Sequence, residues 1–170
     1  MKHQFNAPLE ASSSKIFNWQ LRVPADTTAF FLALPTKRRV VCVLNGQDPQ
    51  QCSLTPIGQG VYIIKVNQKR IKQLALEKGK KVSIELFPDD SKYGLPMPSE
   101  MQEVLDHDEE GNKLFHALPA GKLRTLLYIV GEGKNEDKRI FRAVTILEHL
   151  KNRRGEIDYK VLNEDVRVGG

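Results

Sequence analysis

An internal repeat narrows the possible folds more than any other feature of the chain. Leu21-Arg22-Val23-Pro24, a short helical stretch and Lys37-Arg38-Arg39-Val40-Val41-Cys42-Val43-Leu44 make up the first copy. Ile64-Lys65-Val66-Asn67, a second helical stretch and Gly79-Lys80-Lys81-Val82-Ser83-Ile84-Glu85-Leu86 echo it, 43 residues on at the start and 42 at the end. A strand–helix–strand unit of this size cannot bury both faces alone, so two copies are expected to close on each other. A closed barrel is the economical result, because closure also removes exposed strand edges.

Local patterns extend this frame. Residues 2–10 and 15–23 read as strands joined by a turn at Ser12-Ser13-Ser14, and 38–45, 51–57, 60–67 and 80–87 read as further strands. Asn45-Gly46 is a strong turn signal, and Pro88-Asp89-Asp90 closes the last strand. In 39–44 and 82–87 apolar residues occupy both strand faces, so one face lines a core and the other is covered. Pro24 opens the first helix, which runs through Phe30 and Leu32. The second spans 68–77, with Ile71, Leu74 and Ala75 on one face and Gly79 as its stop.

Beyond residue 95 the pattern turns helical. Pro98-Ser99-Glu100 starts a helix carrying Met101, Val104 and Leu105, followed by 112–118, 120–130 and a last helix over 135–152. The apolar set of that last helix is Ile140, Phe141, Val144, Leu147 and Leu150. The division expected is therefore a barrel over 1–95, a helical segment over 96–155 and a frayed tail over 156–170, where Val161-Leu162 and Val166 hint at a stray strand.

With 170 residues the chain can bury roughly 70% of its unfolded surface and needs no metal or disulfide staple. Its 40% apolar and 28% charged composition argues against a disordered chain. No apolar run approaches the ~18 residues of a membrane span, and the start lacks the greasy core of a signal peptide. The expectation is a cytoplasmic protein with no membrane partner. In that compartment thiols stay reduced, so Cys42 and Cys52, ten residues apart, read as buried inert thiols.

Charge is unevenly placed. Residues 1–97 hold fourteen basic against seven acidic side chains, and 98–170 hold twelve against fourteen. Lys37, Arg38 and Arg39 open one strand, while Lys69, Arg70, Lys72, Lys80 and Lys81 span the second helix and the next strand. If the copies are pseudo-symmetric, both clusters emerge at equivalent places on a barrel and form a surface for an anion or nucleic acid. Reading bases would need Arg, Asn or Gln aimed into a groove, and no aromatic stacking platform appears. Lys134 beside the last helix and Arg139 within it are added as anion candidates. Gly131-Glu132-Gly133-Lys134 lacks the earlier glycine and the Ser or Thr of a phosphate loop, and reads as a break between helices. The four histidines share no metal spacing, no nucleophile motif is present, and neither catalytic residue, cofactor nor metal is assigned.

The stretch from Val23-Pro24 to Asn45-Gly46, then Ser53-Leu54-Thr55-Pro56-Ile57-Gly58-Gln59-Gly60, then Val66 to Leu86 with Lys69-Arg70 and Gly79, resembles a bacterial family of unknown function. Its members have a small barrel of the double-split type. Phe115-His116-Ala117-Leu118 and Arg139-Ile140 resemble the bacteriocin-protection (YdeI/OmpD-associated) segment that often follows that barrel. Here Lys134-Asn135-Glu136-Asp137-Lys138 departs from the longer Lys-to-Thr-Arg run of that segment. The second copy also resembles the strand–helix–Gly–strand unit of AbrB-type and antitoxin MazE-type DNA-binding barrels, which assemble from two chains. One chain holding both copies implies a monomeric barrel, with DNA binding following only as a hypothesis.

The expected fold is thus mainly β with α, a closed double-split barrel followed by a helical segment. The expected function, implied by the bacteriocin-protection resemblance, is a non-enzymatic binding or stress-protection module that captures an anionic partner on a basic rim. Two alternatives stand beside it. One is a small-molecule enzyme or carrier whose site between barrel and helices gathers Trp19, Tyr93 and His116, and the other is a DNA-binding regulator.

Overall fold

The computed structural model describes residues 1–13 and 18–169. The expected strand over 15–23 therefore lies partly outside the described residues and is seen from Trp19 onward. The chain divides into two compact units, Met1–Gly94 and Leu95–Gly170. Among the described residues no helix is long and apolar enough to cross a membrane.

The first unit is built from β1 (His3–Pro8), β2 (Glu10–Ala11), β3 (Trp19–Val23), α1 (Ala25–Ala33), β4 (Arg39–Leu44), β5 (Gln47–Ser53), β6 (Thr55–Gly58), β7 (Val61–Val66), α2 (Gln68–Gln73) and β8 (Lys81–Pro88). All pairing is antiparallel and gives two four-stranded sheets, ordered β1-β8-β4-β5 and β2-β3-β7-β6. Their inner faces share one core, with Val40, Cys42, Leu44, Val82, Ile84 and Leu86 from the first and Leu21, Val23, Ile64 and Val66 from the second. The outward residues Val41, Val43 and Phe87 are half-buried, in keeping with the two-faced apolar pattern.

The repeat sets the pairing. Equivalent strands of the two copies lie side by side, β3 against β7 and β4 against β8. A pseudo-twofold passes through the pairs Leu21↔Ile64 and Val43↔Glu85, each of which joins a residue to its own counterpart. The duplication also reaches further back than the sequence signal. Pro8↔Lys81, a pair between the copies, corresponds to Ser53↔Arg39, and Glu10↔Gln20 within the first copy to Thr55↔Ile63 within the second.

Two leucines explain that extension. β1 and β2 are one run of chain broken only at Leu9, and β5 and β6 are one run broken only at Leu54. Leu9 is 1% exposed and Leu54 0%. Their amides keep equivalent bonds, Leu9 N–H to the Lys80 carbonyl at 3.0 Å and Leu54 N–H to the Arg38 carbonyl at 2.8 Å. At each leucine the chain leaves the outer edge of one sheet and joins the outer edge of the other. Both edges of both sheets are therefore linked by continuous chain.

Edge position also accounts for three of the strand prolines, Pro88 being the last residue of the inner strand β8. Pro8, Pro49 and Pro56 sit in β1, β5 and β6, the outermost strands, where a missing N–H leaves no central ladder bond unmade. Strand β5 begins at Gln47, four residues before the expected start at 51, because nothing in Gln47-Asp48-Pro49-Gln50 reads as strand without its neighbour. Asn45 and Gly46 both take positive φ, 50° and 70°, as a tight hairpin turn with primed geometry requires.

The second unit comprises α3 (Ser99–His107), α4 (Glu109–His116), α5 (Ala120–Gly131), α6 (Glu136–Asn152) and α7 (Tyr159–Val168). Helix α6 is central and packs against the other four. Its basic residues largely brace neighbours. Arg139 Nε donates to Glu100 Oε1 at 2.7 Å, Arg142 donates to the Ile129 carbonyl at 2.8 Å, and Lys151 Nζ reaches Asp108 Oδ2 at 2.8 Å. Gly131 ends α5, so Gly131–Lys134 is the expected break. A Cβ at Gly133 would lie 2.6 Å from Arg139 Cγ, which explains the second glycine.

Two expectations are corrected here. The tail is neither frayed nor a strand: Asp158 accepts from the Lys160 and Val161 amides to cap α7, and Leu162 and Val166, four apart, are buried on one helical face. Phe141 and Val144 are not core residues of α6, being 36% and 43% exposed.

Candidate functional site

The pseudo-twofold decides where the basic candidates stand. Because β4 and β8 are antiparallel, Arg39 and its counterpart Lys81 open their strands at opposite ends of the ladder. The eight residues of β8 separate those ends by about 23 Å, at about 3.3 Å per residue. The single basic rim expected from the sequence is therefore two separate clusters. Lys37 and Arg38 are exposed at one end and Lys80 and Lys81 at the other, while exposed Lys69 and Lys72 stand on α2.

Three of the arginine candidates are structural. Arg39 is half-buried and pairs with Asp89 Oδ2 at 3.6 Å, with a further bond to the Ser91 carbonyl. Desolvation works against the charge on Asp89, yet bonds from Ser91 and Gln51, together with Arg39, hold its carboxyl below the ordinary range. Arg139 is engaged with Glu100, as described above. Arg70, 3% exposed, turns inward, and its Nη2 donates to the Cys42 and Asp48 carbonyls, both at 2.8 Å. Lys80 pairs with Glu77 at 2.6 Å, and Lys134 is exposed between α5 and α6.

The pocket candidates do not form one set within a unit. Trp19 belongs to the first unit and donates from Nε1 to Gln68 Oε1 at 3.0 Å. Tyr93, also in the first unit, has Lys92 Nζ 5.1 Å from its ring centre. His116 belongs to the second unit, where it is exposed on α4 and stands edge-on to Phe115.

What the first unit does contain is a polar cleft of about 280 Å³ lined by Gln50, Gln51, Cys52, Ser53, Thr55, Lys65, Asn67 and Arg70. Four segments shape it. Strands β5 and β6 bring the Gln50–Thr55 wall, the end of β7 brings Lys65, and α2 brings Arg70. Asn67 caps α2 by accepting from the Arg70 amide at 2.8 Å. Asp48 has φ +49° at the start of β5, and Arg70 holds its carbonyl there, so the guanidinium fixes the irregular edge of the cleft. Asp48 Oδ2 is 3.9 Å from Arg70 Nε and offsets part of its charge. That Nε has no hydrogen-bond acceptor although it is buried.

Internal duplication supplies a control for this cleft. At the equivalent place in the first copy the end of the core is plugged. His3, Phe5, Phe30 and Phe31 stand where the second copy has Asp48, Gln50, Gln73 and Leu74, and His3 stacks on Phe30 with ring centres 4.2 Å apart. Arg22, the counterpart of Lys65, is neutralised there by Glu10, with Nε 3.0 Å from Oε2. In the second copy Thr55 replaces that carboxylate, and Arg70 replaces buried Thr27. One copy thus closes its end with aromatics, whereas the other opens it to solvent and places Lys65 and Arg70 in the wall. Sequence reading missed Lys65 and Thr55; aligning the copies through Leu9 and Leu54 is the signal that finds them.

No match was found among the curated proteins. Residues 5–86, from Phe5 in β1 to Leu86 in β8 and so nearly the whole duplicated unit, match the family model described as a domain of unknown function (DUF1905).

Proposed function

We propose that this chain is a non-enzymatic cytoplasmic binding protein that captures a carboxylate- or phosphate-bearing partner at the cleft around Lys65 and Arg70. The observation that carries this reading is the divergence of the two copies: the second has a polar cleft where the first is filled by aromatics, with Thr55 and Arg70 in place of Glu10 and Thr27. Gln50, Gln51 and Asn67 add amide dipoles to the wall, and exposed Lys69 and Lys72 on α2 raise the local positive potential. In this reading the two sheets are the halves of one closed double-split barrel. The shared core and the continuous chain at Leu9 and Leu54 support that closure. A role in bacteriocin or stress protection rests on the resemblance of Phe115–Leu118 and Arg139-Ile140 to the bacteriocin-protection segment.

Titration calorimetry with inorganic phosphate, citrate and a short DNA duplex at 50 and 200 mM salt tests the cleft. Lys65→Gln is expected to weaken binding of the small anions about 5-fold, the equivalent of about 1 kcal/mol for one partly exposed charge contact. Its counterpart Arg22→Gln is expected to leave binding unchanged. Equal effects of the two substitutions, or no binding at low salt, refute the reading. Tight binding of DNA alone, with a steep salt dependence, points to the exposed lysines instead.

A further inference from the structure

We propose that Cys42 and Cys52 are a redox-active thiol pair, converted to an intrachain disulfide by a hydroperoxide that enters through the cleft. This does not depend on whether the cleft binds an anion.

The pairing register brings the two cysteines together. Cys42 on β4 faces Gln50, and Cys52 on β5 faces Val40, so the cysteines are diagonal neighbours on the same face of adjacent strands. Diagonal neighbours approach closest where a ribbon is strongly twisted, and the register of this pair shifts between Cys42 and Leu44, an irregularity of the kind that increases local twist. A disulfide needs Cβ atoms about 3.5–4.5 Å apart, a separation that the twist makes reachable by a small movement of the edge strand β5.

Access and activation are divided between the two residues. Cys42 is fully buried, whereas Cys52 is half-buried and forms part of the cleft wall. The Cys52 thiol beside Cys42 is the main influence that lowers the Cys42 pKa, with help from the Arg70 charge, while the same partnership pushes Cys52 up. The pair therefore holds one proton more tightly than the other, and thiolate is the reactive form. The symmetry-related place, where β1 meets β8, shows that neither position needs sulfur for packing: Ala7 and Ile84 stand there and are buried. Cys42 comes from β4 of the first copy and Cys52 from β5 of the second, where the open cleft lies.

The chemistry balances with one named oxidant. The Cys52 thiol gives its proton to solvent as its sulfur bonds to the terminal oxygen of the hydroperoxide, while Cys42 remains a thiol. The O–O bond breaks, and the departing alkoxide takes a proton from solvent. Cys52 is now a sulfenic acid. Cys42 sulfur then attacks Cys52 sulfur, the S–S bond forms, the S–O bond breaks, and hydroxide leaves with the Cys42 proton as water. Overall two thiols and one hydroperoxide give a disulfide, an alcohol and water, the two sulfurs supplying the two electrons.

The test oxidises the full chain with hydrogen peroxide, alkylates remaining thiols after unfolding, and measures intact mass and the peptide map. The expected result is loss of both thiols, a mass lower by two hydrogens, a Cys42–Cys52 cross-linked peptide and full reversal by dithiothreitol. Cys52→Ser is expected to give no cross-link and to leave Cys42 alkylatable. Cys42 lies in the core, so the test rests on the wild-type mass and peptide map rather than on its replacement. Two thiols surviving peroxide that oxidises a small free thiol, oxidation only to sulfinic acid, or cross-linking only between chains overturns the proposal.

Discussion

Truncating the two leucines at which the chain changes sheets tests the architecture most directly. Leu9 and Leu54 stand between strands, each as a single residue outside regular pairing, so a reading of local structure alone would make them tolerant loop positions. The structure places both side chains in the core with 1% and 0% exposure. Removing a fully buried leucine side chain costs its transfer free energy plus the cavity it leaves, about 3–4 kcal/mol where neighbours cannot collapse. Neighbours here belong to two sheets braced by both ladders, which limits collapse. Leu9→Ala and Leu54→Ala are each expected to cost about 3–4 kcal/mol, and the pseudo-twofold requires the two costs to be similar. For a unit of this size that is a fall in Tm of about 15–25 °C. Trp19, the chain's single tryptophan, lies in β3 and reports urea unfolding of the first unit by fluorescence. The midpoint should drop with m unchanged. Ile57→Ala, at a position 47% exposed, serves as control and should stay within about 0.5 kcal/mol. A cost below about 1 kcal/mol at either leucine refutes the duplicated sheet crossing.

Two further predictions concern pH in the second unit. His149 is buried and its Nε2 accepts the Asp158 amide at 3.1 Å, which requires a neutral ring. Burial, and then Arg153, lower its pKa, with Asp165 and Asp158 opposing. The unfolded chain therefore binds the proton more readily, so this contribution is complete above about pH 6.5 and is lost as pH falls below it. Guanidinium melts followed by helical circular dichroism at pH 5 and 7.5 should show that loss in wild type but not in His149→Gln; an identical loss in both sinks the assignment. Glu100 has its pKa lowered, first by the bond from Arg139. Its stabilisation is therefore present above about pH 4.3 and disappears as pH falls through the lower folded value. Glu100→Gln should be less stable than wild type at pH 7 and converge with it under acid conditions, and parallel curves down to pH 2 would contradict this.

Much of the architecture was already written in one dimension. β-Branched runs between turn residues located β4, β7 and β8, Asn45-Gly46 located the hairpin, and spacing of apolar residues located α3 to α6. These are local signals, each contained within a dozen residues. The repeat over Leu21–Leu44 and Ile64–Leu86 was legible for the same reason, because its copies preserve the apolar positions that face a common core. Where composition was polar the reading failed. β5 is strand only because Arg70 and the neighbouring ladder hold Gln47–Gln50, and α7 is helix because a capped, amphipathic ten-residue segment found a buried face to lie on.

Charge alone, by contrast, could not reveal its own destination. Arg38, Arg39 and Arg70 look alike along the chain, yet one is exposed, one pairs with Asp89 and one is sealed beneath a carbonyl pair. Repeated sequence determined that two similar halves would pair. Only the tertiary structure decided that antiparallel pairing sends their basic ends in opposite directions, that one half is plugged by aromatics, and that Cys42 and Cys52 meet across a ladder. Those outcomes depend on side chains brought together from strands distant in sequence, which no local pattern encodes.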